Sequence, residues 1–94
     1  MTADVETIAS ELEAYLRRSF LIPDDDARFT RTVNLWDEGY VDSAGVVETI
    51  LHLEQLWAVR LPDEVVFDPR FRDVAGIAEL VASLLELESA NGAA

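Results

Sequence analysis

A chain of 94 residues with 19 acidic and seven basic side chains carries a formal net charge of −12. That balance disfavours nucleic acid, whose phosphates it would repel, and favours basic partners. Cys is absent and His52 is the single histidine, which excludes a disulfide framework, a thiol nucleophile and a His-rich metal site.

Half of the residues are hydrophobic and the mean hydropathy is +0.11, which fits one small folded domain over 1–88. No apolar run approaches the roughly 18 residues of a membrane span. The acidic start Met1-Thr2-Ala3-Asp4-Val5-Glu6 is unlike a secretory signal. A cytoplasmic, stand-alone monomer with no membrane contact is the expectation.

Residues 4–20 are predicted to form an amphipathic helix. Val5, Ile8, Leu12, Tyr15 and Leu16 recur at helical spacing, with Phe20 at the margin. Asp4 and Glu6 suit the positive end of its dipole; Arg17 and Arg18 suit the negative end. Pro23 and Asp24-Asp25-Asp26 end it.

Residues 21–41 lack sustained periodicity, and a connection this long is often functional. Its apolar residues Phe29, Val33, Leu35, Trp36 and Val41 are expected to close over the helices as a lid. Gly39 lets the backbone turn before the next helix.

A second helix is expected over 43–58, with Asp42 or Ser43 as its N-cap. Val46, Ile50, Leu53 and Trp57 form one stripe, and Glu48, His52 and Gln55 lie opposite. Val47 and Leu51 widen the apolar arc to roughly 220°, more than a surface helix needs. That flank is read either as a contact surface or as ground covered by a short third helix. His52 is read as an exposed helix residue, and Trp36 and Trp57 as packing residues.

Pro62-Asp63-Glu64 is a helix-start pattern for a short element over about 63–67. Asp73 then caps a last helix with the apolar face Val74, Ile77, Ala78, Leu80, Val81, Leu84 and Leu85. Residues 89–94 read as a frayed tail. The fold class is all-α: a small four-helix bundle of three main helices and one short one, with a long loop between helices 1 and 2.

The residue that stands out is Ser43, at the start of the second helix. Its plain use is capping. A catalytic use needs a nearby base, and His52 lies nine residues on, about 13 Å along the helix. No catalytic residue and no metal ligand is therefore assigned, and the chain is not read as an enzyme.

The ordered set Leu35, Gly39, Asp42-Ser43, Val46-Val47-Glu48, Leu53-Glu54, Trp57 and Leu61-Pro62-Asp63-Glu64 resembles the acyl carrier protein family. The likeness continues more weakly through Phe71-Arg72-Asp73-Val74 and the last helix, covering about four fifths of the chain. It implies that Ser43 receives 4′-phosphopantetheine from coenzyme A through a Mg-dependent phosphopantetheinyl transferase. Asp42 would cap the helix and assist that enzyme and its metal.

The arm's thiol would hold acyl or aminoacyl groups as thioesters. Partners would be a loading enzyme and downstream synthase or tailoring enzymes with basic docking surfaces. The resemblance assigns Val47, Glu48, Leu51, Glu54, Leu61, Asp63 and Glu64 to partner binding. The Gly-Tyr-Val-Asp-Ser context is similar to carriers of specialised polyketide or non-ribosomal-peptide type pathways.

Ala44 and Gly45 depart from the family pattern, where a larger apolar residue and an acid are common. Gln55 and Arg60 dilute the acidic surface. The small side at Gly45 is read as room for the arm or a partner. The competing reading is an acidic helical adaptor in which Ser43 is never modified.

Overall fold

The computed structural model describes the backbone of residues 4–92 and the side chains of residues 4–87. The described residues are all-helical, with no strand. Three α-helices, α1 (Val5–Ser19), α2 (Ser43–Trp57) and α3 (Val74–Gly92), and one 3-10 helix (Asp63–Phe67) follow in that order.

Asp4 caps α1 by accepting the Thr7 N–H at 2.8 Å. The helix buries Ile8, Ala9, Leu12, Tyr15 and Leu16, close to the predicted stripe, and packs most closely on α3. Burial of each large side chain contributes roughly 1.5–3 kcal/mol. α3 buries Val74, Ile77, Ala78, Leu80 and Val81 in return.

The connection between α1 and α2 is a strap across the core. Ile22, Phe29, Leu35 and Val41 are buried, and Val33 and Trp36 pack partly against them. Its polar backbone is satisfied by neighbours. Leu35 N–H donates to Arg72 O, and Ala75 N–H donates to Arg31 O, each at 2.8 Å. The Trp36 indole N–H donates to Phe71 O, also at 2.8 Å. The Arg31 guanidinium reaches the Glu6 carboxylate and the Ser10 hydroxyl on α1. Gly39 takes φ +77°, a left-handed conformation that glycine adopts without strain.

On α2 the fully buried line is Gly45, Thr49 and Leu53, while Val46, Ile50 and Trp57 are only partly buried. The predicted stripe is thus rotated. Thr49 can face the core because its hydroxyl donates to Gly45 O at 2.8 Å inside the helix. α2 ends at Ala58 with φ 54°, and the chain then buries Val59 and Leu61.

Pro62 leads into the 3-10 helix, which buries Val65. Asp73 caps α3 through the Gly76 N–H at 2.6 Å. A Cβ on Gly76 would fall 2.2 Å from Arg70 O, so the loop can approach the helix this closely only over a glycine. Where a frayed tail is expected, from residue 89, α3 runs on to Gly92. No glycine or proline lies between Gly76 and that glycine. Residues 93 and 94 lie outside the described ones.

Candidate functional site at the start of α2

Asp42 is the N-cap of α2, in extended backbone conformation, and its Oδ1 accepts the Gly45 N–H at 2.8 Å. Its carbonyl accepts the Val46 N–H at 2.9 Å. The side-chain cap is therefore Asp42, not Ser43. The Ser43 side chain is exposed and makes no hydrogen bond among the described residues. The amides of Ser43 and Ala44 likewise have no acceptor there. An exposed hydroxyl beside two free N–H groups, at the positive end of a 15-residue helix, is a place where a phosphate group fits.

Among the described residues, no base is hydrogen-bonded to that hydroxyl. His52 does not face it: the imidazole stacks on Tyr15, centroids 3.8 Å apart and planes 10° from parallel. His52 Nε2 lies 3.1 Å from Glu11 Oε2. The expectation of an exposed His52 is thus corrected. It is partly buried between α2 and α1, because Glu11 and Tyr15, one turn apart on α1, form its seat.

The turn carrying Ser43 is held from below. Gly45 is buried, and a Cβ there would lie 2.6 Å from Phe20 Cε1 and 2.8 Å from Val41 Cγ1. The room expected at Gly45 for an arm or a partner is therefore filled by this chain's own Phe20 and Val41. Together with the His52–Glu11 contact, it shows that α1 and α2 run antiparallel, so α1 ends where α2 begins.

Further down α2 the apolar flank stays uncovered, with Val47 57% and Leu51 51% exposed. The 3-10 helix does not roof it. Glu48, Asp63 and Glu64 are exposed.

Two residues assigned to partner binding have a part in the fold itself. Leu61 is only 5% exposed and belongs to the core. Glu54 is partly buried, and its Oε2 accepts the Leu61 N–H at 2.8 Å. That carboxylate anchors the turn after α2.

An apolar groove of about 380 Å³ opens elsewhere, lined by residues of the 3-10 helix region and by Leu80 and Leu84 of α3. No residue of α2 lines it. Among the described residues, no helix is long and apolar enough to cross a membrane.

The sequence reading did not find the Phe20–Gly45 contact or the His52 seat. Both are pairings between helices 25 or more residues apart, and no local pattern encodes them. The glycine itself was the available signal, since a glycine in a first helical turn is unfavourable unless something needs its space. A scan against protein-family models found no match, and a search of curated proteins found none either.

Proposed function

We propose that this chain is a carrier protein, a small four-helix bundle in which the 3-10 helix counts as the short third member. Ser43 is its attachment point for 4′-phosphopantetheine. The observation that carries this reading is the division of labour at the start of α2. Asp42 does the capping, and the Ser43 hydroxyl is left exposed with no part in the fold.

The chain's own residues bind and present; they do not catalyse. The free amides of Ser43 and Ala44 and the helix dipole favour the charge of a phosphodiester. Ser43 Oγ would form the new bond to phosphorus as the pyrophosphate bond of coenzyme A breaks. Adenosine 3′,5′-bisphosphate leaves, and the serine proton passes to a base on the transferase. The arm supplies the thiol that a chain without cysteine lacks, and that thiol holds an acyl or aminoacyl group as a thioester.

Val47 and Leu51, beside Glu48, suit apolar and basic side chains on a phosphopantetheinyl transferase, a loading enzyme and downstream synthases. Charge there would raise association rate and specificity more than affinity. Specialised polyketide or non-ribosomal-peptide type pathways are the setting we favour.

The test is intact mass after incubation with coenzyme A and a broad phosphopantetheinyl transferase. The expected result is one added phosphopantetheine, absent in Ser43→Ala. A chain that stays unmodified in its native host would leave the exposed Val47–Leu51 flank to an adaptor instead.

A further inference from the structure

Leu21 is placed where a protein built only for stability would put glycine. It follows Phe20 at the end of α1, with φ +55°, and is 86% exposed. The Phe20 N–H donates to Leu16 O at 2.9 Å, and the Ile22 N–H donates to Arg17 O at 3.0 Å. The second of these is the six-to-one bond of a helix terminus whose penultimate residue is left-handed, a position dominated by glycine. A branched side chain there is strained.

Both neighbours are pinned inward, Phe20 over Gly45 and Ile22 into the core. The Arg17 guanidinium holds Pro23 O at 2.6 Å and lies over the Phe29 ring. The turn is held by these contacts, and it presents the leucine side chain to solvent. Among the described residues, none covers the Leu21 side chain.

Its surroundings give the contact a direction. Asp24 and Asp25 are exposed and form no ion pair or side-chain hydrogen bond among the described residues. Asp26 Oδ2 accepts the Tyr40 hydroxyl at 2.9 Å, and Tyr40 lies three residues before Ser43. Two tethers, Phe20 on Gly45 and Tyr40 to Asp26, thus hold the 20–26 turn against the end of the molecule that carries Ser43. Leu21, with the exposed Asp24 and Asp25 three and four residues on, is thus an apolar and acidic feature at the end of the molecule that carries Ser43, on the Gly45 side of α2 and apart from the Val47–Leu51 flank.

We infer that Leu21 and the carboxylates of Asp24 and Asp25 form a docking knob for the transferase that modifies Ser43, seated in an apolar socket rimmed by Arg or Lys. The inference rests on the carrier reading for the identity of the enzyme. An apolar centre with a charged rim is the usual anatomy of a specific contact. Strain kept at an exposed position is the mark of a residue retained for function at the expense of stability.

Leu21→Gly separates the two effects, because it relieves the backbone while removing the knob. With the host cell's phosphopantetheinyl transferase and coenzyme A, kcat/KM for modification of Ser43 should fall about 10-fold, the scale of losing one buried leucine. The loss should lie in KM, with kcat nearly kept, while the thermal midpoint rises. Asp24→Asn/Asp25→Asn should slow modification at low salt, and the difference should shrink as salt is added.

Wild-type kinetics in Leu21→Gly, with Ser43 still modified, would overturn the knob and leave the carrier reading intact. No modification of the wild-type chain would overturn both. A wild-type dimer that Leu21→Gly dissolves in sedimentation would assign the knob to a second copy of this chain and overturn the transferase.

Discussion

Phe20 lies against the bare backbone of Gly45, with a ring carbon 2.6 Å from where a Cβ would stand. This contact joins the end of α1 to the turn that bears Ser43. It is the reason that a poor helix former occupies the first turn of α2. Gly45→Ala gains up to about 1 kcal/mol of helix propensity but forces Phe20 and Val41 to move, at about 1–3 kcal/mol for overpacking. The net expectation is destabilisation by about 1 kcal/mol in urea unfolding. Phe20→Leu in the same chain should recover part of it, because the clash is with the far edge of the ring. A double-mutant cycle with additive effects would show that the two residues do not press on each other.

Asp42 and Ser43 are adjacent and both are good caps by type, yet only Asp42 is used. Asp42→Ala should therefore lower stability by about 1 kcal/mol. Ser43→Ala should change it by less than about 0.5 kcal/mol, the range of surface substitutions that touch nothing. Equal losses in the two variants would mean that the serine hydroxyl shares the capping.

Three carboxylates, Glu6, Asp26 and Asp68, tie the long strap and the turn before α3 in place. The Arg31 guanidinium holds Glu6 below its ordinary value of 4.5, with the Ser10 hydroxyl adding to it. The Tyr40 hydroxyl lowers Asp26 and the Arg70 side chain lowers Asp68, each from 3.8. A folded pKa below the unfolded one means that the contribution is full above the ordinary value. It is lost as pH falls through the folded value. Stability should thus decline as pH drops through 4.5 and then 3.8. Relief of repulsion in so acidic a chain works in the opposite sense. Glu6→Gln and Tyr40→Phe isolate the specific part: each should flatten the slope of unfolding free energy against pH in that window. Slopes unchanged from wild type would remove these contacts from the acid response.

Much of the fold was legible because it is written in local signals. Asp4, Asp42 and Asp73 each cap a helix that periodicity had located, and the strap's Phe29, Leu35 and Val41 are buried as their apolarity suggests. The misplacements share one cause: tertiary contact decides which flank of a wide apolar arc faces inward. Thr49 is fully buried on α2 because its hydroxyl is satisfied within the helix. Partly buried Val46 and Ile50 give way to that line. The sequence also gives no sign that Glu54 anchors the chain seven residues on, through the Leu61 N–H that donates to its carboxylate. At Ser43 the sequence supplied the position and the resemblance. Only the structure shows that the hydroxyl is idle in the fold.

The two tryptophans test how far satisfaction of a buried donor governs stability. The Trp36 indole N–H donates to Phe71 O, and its ring stacks on Phe71 with centroids 5.6 Å apart. The Trp57 Nε1 is buried with no acceptor among the described residues. An unmade hydrogen bond costs the desolvation of its donor, about 1–3 kcal/mol, whereas a made one contributes about 1 kcal/mol net. Trp36→Phe should therefore destabilise by about 1 kcal/mol or more, since it also strands the Phe71 carbonyl. Trp57→Phe loses packing volume but removes the stranded donor, so the two changes oppose each other. Its expected effect is within about 1 kcal/mol of zero and smaller than that of Trp36→Phe. Chemical unfolding of both variants decides it, because a larger loss at position 57 would mean that the Trp57 N–H has an acceptor in solution, such as water.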